Sequence, residues 1–346
     1  MRVDFIDRPG PEWERFVDKH PRSTLGHAPE WWEILTRSYG LKPCYLEAHR
    51  ESGALAGILP LVALPSWRGP GELVSLPYLD SAGPLVAEGE DATQALLDRA
   101  VAWMGAQGFA GIEVRSLAAA SAQEASDVDR VDLFLPLAKD VDSQWKAVRA
   151  KVRNQTRKAE KEGLVLLEGK SSDLLRAFYQ PFLVNMRDLG SPVHSRRFFE
   201  EIARAFGDRM RIIVTALDNR PVGGLIAIHH GRTVSIPWAS TLRSERRRCP
   251  NNQIYWEALR WAVERGAEEV DFGRSPRQGG THRFKVGWGA QPRELDWRKL
   301  GADGQKLPLT TLGESPVLRR LSRVWTQLPV PITQWIGPIL RKRISN

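Results

Sequence analysis

Apolar and polar positions along this chain fall into a pattern that occurs twice. Val74-Ser75-Leu76-Pro77-Tyr78 returns as Val234-Ser235-Ile236-Pro237-Trp238. Each copy leads into a stretch of helical period that ends at a glycine and enters a short apolar strand with one acid. The landmarks are Trp103, Gly108 and Ile112-Glu113 in the first copy, and Trp261, Gly266 and Val270-Asp271 in the second, at a constant offset of 158. A hairpin signal precedes each copy. Glu51-Ser52-Gly53 leads into Leu55-Ala56-Gly57-Ile58-Leu59, and Asp218-Asn219-Arg220 into Val222-Gly223-Gly224-Leu225-Ile226. Solenoids repeat every 20 to 50 residues or so. A period this long, seen twice, therefore predicts a duplicated domain, and the junction of two such domains is a favoured place for a binding site.

The first domain is expected over 1–138, with strands at 3–6, 44–48, 55–64, 72–76 and 111–115 and helices at 11–20, 29–39 and 91–107. A basic helix over 142–162, stopped by Gly163, opens the second domain, 139–300. Helices at 173–188, 197–206 and 252–265 follow, with strands at 210–216, 222–229, 233–238 and 268–272. Hairpin strands followed by helix and strand indicate α+β domains, with too few βαβ units for a Rossmann sheet. The remainder, 301–346, changes character: Arg319, Arg320, Arg323, Arg341, Lys342 and Arg343 interleave with Trp325, Trp335 and Ile339, and no acid follows Glu314. Such a basic amphipathic tail suits an anionic membrane surface; the alternative is an arm packed on its own domain.

At 346 residues the chain can build two cores, and its net charge of +9 attracts polyanions. Two cysteines cannot make a disulfide framework or a zinc cluster, and because Cys44 and Cys249 lie in opposite copies no structural bridge is expected. The first 17 residues carry no signal-peptide core, and no apolar run nears the roughly 18 residues of a membrane span. The expected location is the cytoplasm, with peripheral contact at the inner face of its membrane.

Candidate chemistry gathers in two places. Arg149, Arg153, Arg157 and Lys161 recur every four residues on the basic helix, a cationic ribbon about 18 Å long suited to a run of phosphates. Asp271-Phe272-Gly273-Arg274-Ser275, followed by His282-Arg283-Phe284-Lys285 and Trp288-Gly289, places an acid and converging cations just past a strand, as an anion or transition-state clamp requires. A solvated helix and a structural Asp–Arg pair are the plainer readings. Asp80 follows the first repeated strand where the second copy has Ser240, and Arg187-Asp188 closes a helix near Gly190. His229-His230 has no third ligand nearby, so no metal site is expected.

These residues resemble the FemAB group, double-domain relatives of the GNAT acyltransferases, and in particular the FemAB-like proteins of exopolysaccharide and exosortase (PEP-CTERM) clusters. The resemblance rests on Gly83-Pro84-Leu85, Val152-Arg153-Asn154 through Arg157-Lys158-Ala159, and Asn185 to Gly190. It continues through Pro237-Trp238-Ala239-Ser240, Tyr255-Trp256-Glu257-Ala258, Asp271 to Ser275, and Arg283-Phe284-Lys285 with Trp288-Gly289. It implies two tandem GNAT-like domains and transfer of an acyl or aminoacyl group to an amine of a cell-envelope precursor. By similarity Lys285 stabilises an oxyanion or a donor phosphate, and Arg153 and Arg157 hold acceptor phosphates. Asp80, Asp271 and Arg274 shape the acceptor pocket or move a proton. Arg187, Trp238 and Tyr255 join the substrate-binding candidates.

One departure bears on the donor. Acetyl-CoA users of the wider superfamily carry a glycine loop whose amides hold pyrophosphate after the strand matched here by 234–238. Here Arg246-Arg247-Arg248-Cys249-Pro250-Asn251 has no glycine, and Pro250 lacks an amide hydrogen. The donor expected is aminoacyl-tRNA, with acyl-CoA and an amino-sugar acceptor as the second reading. A non-catalytic, membrane-docked adaptor for a glycan precursor is the third. No resident cofactor is expected.

Overall fold

The computed structural model describes residues 1–67, 69–118, 129–309 and 316–345. Its contacts divide the chain into two units. One comprises Met1–Arg130, Arg293–Leu312 and Leu340–Asn346; the other comprises Val131–Pro292 and Gly313–Ile339.

The N-terminal unit begins with β1 (Arg2–Phe5), α1 (Pro11–Lys19), α2 (Trp31–Tyr39), β2 (Lys42–Pro43), β3 (Leu46–His49) and β4 (Leu55–Leu59). It continues with β5 (Val62–Leu64), β6 (Glu72–Val74), β7 (Leu85–Val86), α3 (Ala92–Gln107) and β8 (Ile112–Leu117). Pro60 divides the strand expected over 55–64, because a proline has no N–H for a ladder. The chain changes sheet there: β4 pairs with β3 and β7, whereas β5 pairs with β2 and β6. β6 runs parallel to β8 at Leu73–Ile112 and Val74–Glu113. Ala92, Leu96, Ala100 and Met104 of α3 form one core with Leu46, Leu59, Leu73 and Ile112. The helix ends at Gly108 with φ 73°, the left-handed cap that glycine adopts without strain.

The second unit contains β9 (Arg130–Pro136), α4 (Val141–Ala147), α5 (Ala150–Lys161), β10 (Val165–Gly169), α6 (Ser172–Asp188) and α7 (Arg196–Phe206). Then come β11 (Met210–Leu217), β12 (Arg220–His230), β13 (Thr233–Thr241), α8 (Pro250–Glu264), β14 (Glu269–Pro276) and α9 (Gly280–Gly287). Its strands lie in the order β10-β11-β12-β13-β14-β9. Ile254, Ala258 and Trp261 of α8 pack with Ile213, Leu225, Val234 and Val270. The single basic helix expected over 142–162 is two. Val148 and Arg149 take extended ψ angles of 136° and 141°, and Val148 is buried in the core.

The chain then enters β15 (Gln291–Leu300) and β16 (Lys306–Leu307), followed by α10 (Pro316–Trp325) and α11 (Val330–Arg341). β15 pairs antiparallel with β8 from Leu295–Leu117 to Leu300–Ile112, and 293–300 belongs to the N-terminal unit. The expected tail is also shared. Residues 316–339 belong to the second unit, whereas Tyr78 of the first donates from its N–H to Ser345 O and from its hydroxyl to Arg341 O. Residues 310–315 and Asn346 of that tail lie outside the described residues. No helix among the described residues is long and apolar enough to cross a membrane.

Candidate functional site

In the second unit two parallel strands separate. β13 and β14 are in register only at Thr233–Glu269, Val234–Val270 and Ser235–Asp271, yet β13 continues to Thr241 and β14 to Pro276. The cause lies on β13. Ile226 opposes Trp238 and Ile228 opposes Ser235, so β13 carries one extra residue, a bulge at Ile236-Pro237. A proline is tolerated at a bulge, where its missing N–H breaks no ladder. The bulge bends β13 where it leaves β14. Beyond Ser235 the β13 N–H groups that would have met β14 have no ladder partner there.

On β14, Asp271 is fixed by two donors. Oδ2 accepts from the Ser235 hydroxyl at 3.2 Å and Oδ1 from the Gly273 N–H at 2.7 Å. Gly273 has φ 70°, a conformation open to glycine without a Cβ clash. That turn brings two successive carbonyls to one side, where a regular strand alternates them. Lys285 Nζ donates to both, at 2.8 Å to Gly273 O and 3.0 Å to Arg274 O. Lys285 is 7% exposed, so its ammonium clamps the β14 backbone from α9. α9 is held in turn by aromatic edges: Phe284 meets Tyr255 of α8 at 5.0 Å, and Tyr255 meets Phe272 at 5.5 Å. Burial raises the Tyr255 phenol far above its usual pKa. Asp271, Arg274, Tyr255 and Lys285 are thus brought together around one strand end.

The other candidates are placed differently. Trp238 is buried in an aromatic cluster, edge-on to Phe198 at 5.5 Å and Phe199 at 5.2 Å. Arg187 pairs at 2.7 Å with its neighbour Asp188. Arg153 donates to Lys146 O at 3.0 Å and to Val148 O, closing the break between α4 and α5. The expected cationic ribbon is therefore interrupted: Arg149 precedes α5 and Arg153 is turned onto backbone carbonyls. Arg157 stays exposed, its guanidinium 5.4 Å from the Trp145 ring centre.

Asp80 belongs to the N-terminal unit, on a loop tied down carbonyl by carbonyl. Arg115 Nη1 donates to Leu79 O (3.0 Å), Trp297 Nε1 to Asp80 O (2.9 Å), Thr24 Oγ1 to Ser81 O (2.6 Å) and His27 Nε2 to Gly83 O (2.9 Å). Arg115 is fully buried over the Trp297 ring, with Nε and Nη2 at 2.8 and 2.7 Å from Glu113 Oε1. Sequence reading missed this pair and the Ser235–Asp271 bond. The signal for the first was an acid and an arginine two apart on one strand, hence on one face.

The segment joining β13 to α8 is a short 3-10 helix, Arg243–Arg248, followed by Cys249 at φ 60° and Pro250 at the first turn of α8. Arg248 pairs with Glu162 at 2.8 Å and Glu245 at 3.2 Å; Arg246 and Arg247 are exposed. Among the described residues no group of three or more His, Cys, Asp or Glu is placed to hold a metal ion.

β13 and β14 are thus a parallel pair that parts beyond a bulge and is joined through α8. Residues 146–286 match the model of the acetyltransferase (GNAT) domain. FemX superposes with a TM-score of 0.65 at 15% identity, over 85% of this chain and 95% of that one. A tandem GNAT protein from the clavulanic acid biosynthesis pathway gives 0.55 at 13% identity, over 89% and 100%. The C-terminal domain of a putative lysylphosphatidylglycerol synthetase from Agrobacterium fabrum gives 0.50 at 12%, over 82% and 90%. No curated protein sequence matches significantly. Residues 146–286 thus carry a GNAT domain, and the chain as a whole shares the double-GNAT fold of FemX and the tandem GNAT protein.

Proposed function

We propose that this enzyme moves an aminoacyl group from aminoacyl-tRNA to an amine of a phosphorylated cell-envelope or exopolysaccharide precursor. The observation that carries the donor assignment is the junction of β13 and α8. A compact pyrophosphate is held by successive backbone amides at a helix start. Here Pro250 offers none, Cys249 makes the turn, and the arginine side chains Arg246 and Arg247 stand exposed in place of glycines. Exposed arginines suit phosphates spread along a polynucleotide. The lysylphosphatidylglycerol synthetase likeness is in keeping with aminoacyl transfer, since its name describes a lysyl group joined to a lipid.

In this reading the acceptor nitrogen attacks the aminoacyl carbonyl carbon. A C–N bond forms, the ester C–O bond to the tRNA breaks, and the amine proton ends on the departing hydroxyl. The oxyanion that develops is received by the β13 N–H groups left without a β14 partner. Asp271, held by Ser235 and Gly273, relays the proton in this reading. Lys285 is a positioning residue that fixes the bend of β14. Arg153 is turned onto backbone carbonyls and Arg187 pairs with Asp188, so the exposed Arg157 is the candidate for the acceptor's phosphates.

The test is incubation of the purified protein with bulk radiolabelled aminoacyl-tRNA and pooled nucleotide- and lipid-linked precursors. Label on a precursor that is lost with Asp271→Asn supports the reading. Acylation of an amino sugar from acetyl-CoA, with no transfer from tRNA, overturns it.

A further inference from the structure

α10 and α11 turn small residues inward and, Trp325 apart, leave several large apolar ones outward. Gly337 lies against Val193, where a Cβ would stand 2.8 Å from Val193 Cγ1. Ser322 meets Gly190, where a Cβ would stand 2.0 Å from the Ser322 hydroxyl, and Thr333 is buried. Both helices thus rest on the segment joining α6 to α7. Leu321 and Val324 of α10 and Ile332, Trp335 and Ile339 of α11 are exposed, Trp335 by 75%. The last three are spaced i, i+3, i+7 and form one stripe on α11. Leu189, beside Gly190, is exposed as well. An ordinary amphipathic helix buries such a stripe against its own core.

Charge selects the occupant. Arg319, Arg320 and Arg323 are exposed on α10, and no acid follows Glu314 in the chain. A second copy of this surface would set the same arginines against each other. A tryptophan and two isoleucines beside arginines match the interfacial layer of a bilayer with anionic headgroups. We propose that α10 and α11 dock the protein on an anionic lipid surface, the Ile332–Trp335–Ile339 stripe seated among the upper acyl chains and the α10 arginines on lipid phosphates. This docking is independent of the group transferred.

The experiment is co-sedimentation of the full chain with vesicles of phosphatidylglycerol and phosphatidylcholine, against phosphatidylcholine alone, at low and high salt. Binding to the anionic vesicles only, falling with salt, is expected. Trp335→Glu with Ile339→Glu abolishes it while circular dichroism is unchanged, because both side chains are exposed. Replacing Arg319, Arg320 and Arg323 by Gln weakens it on the order of 100-fold, at about fivefold per arginine. Equal binding to both vesicle types, or none to the anionic ones, overturns the proposal. So does a dimer in solution that Trp335→Glu dissociates without any vesicle binding.

Discussion

The two copies of the Val-Ser-apolar-Pro-aromatic segment meet different fates. In the second unit, Val234 to Trp238 stays in strand β13, absorbs its proline in a bulge and continues to Thr241. In the N-terminal unit, β6 stops at Val74, and Leu76 and Tyr78 take positive φ angles of 54° and 76°. The residues facing each copy account for the difference. At matched positions two residues past the strand acid, the second copy has Gly273 and the first has Arg115. Glycine lets β14 turn and frees Asp271 to hold its own turn and Ser235. Arg115 instead neutralises Glu113 and draws the carbonyls of Leu79 and Ser345 onto its guanidinium, filling the space with a buried ionic knot. Pro60 adds to this by breaking the strand that corresponds to the continuous β12. Duplication supplied two scaffolds; in one the parallel strands part beyond a bulge, and in the other a buried ion pair occupies the matching place.

The largest effect is expected from removing the knot. Arg115→Ala strands a buried carboxylate and several carbonyls, at a cost of about 3–5 kcal/mol, read as a lower urea midpoint. The double change Glu113→Leu with Arg115→Leu loses much less, and an equal loss in both would refute an electrostatic lock. Next is the pH dependence of the same unit. Burial, partly opposed by its bond to Gly83, lowers the His27 pKa from 6.5 to about 4. Its neutral ring donates to Gly83 O and accepts from the Thr24 N–H. The folded state therefore disfavours the charged form, so the associated stability is complete above about pH 6.5 and is lost as pH falls toward 4. It amounts to roughly 3 kcal/mol. Denaturation curves at pH 7 and 4.5 should differ far less for His27→Gln.

In the second unit Lys285→Ala leaves two carbonyls without their ammonium. It should cost about 1–3 kcal/mol of stability and at least about 100-fold in transfer, the weight of a misplaced strand end at a reacting centre. A variant with full transfer and reduced stability would leave Lys285 a purely structural clamp. The smallest change, Gly273→Ala, forces a side chain to φ 70° at a cost of about 1 kcal/mol. It should lower transfer more than stability, because the turn sets Asp271; equal proportional losses would contradict that.

Much of this was legible in the chain itself. The duplication was written in the repeated pentapeptide and in the landmarks that follow it at a constant offset, and the elements of the second copy follow from periodicity, because α8 and β11 to β14 bury continuous apolar faces. The cluster of Asp271, Arg274 and Lys285 was also readable, since Gly273 marks a turn at a strand end, Arg274 follows it directly and Lys285 lies on the short helix after the strand. Other features depended on partners distant in sequence. Periodicity over 142–162 continues through Val148, yet burial of that side chain breaks the helix and turns Arg153 onto carbonyls. Trp238 reads as a site aromatic until Phe198 and Phe199 enclose it. The pairing of β15 with β8 moved 293–300 out of its neighbouring domain, a contact between segments some 180 residues apart.

Local sequence thus determined which elements form and where the chain turns, because helix caps, prolines and alternation act within a few residues. It also determined that two related domains exist and that cations gather near Asp271. Only the tertiary structure decided in which copy the parallel strands part beyond a bulge, which arginines are already engaged, and that α10 and α11 face outward with their apolar stripe. Those outcomes turn on burial and on hydrogen bonds between residues far apart in the chain, and such pairings exist only once the chain has folded.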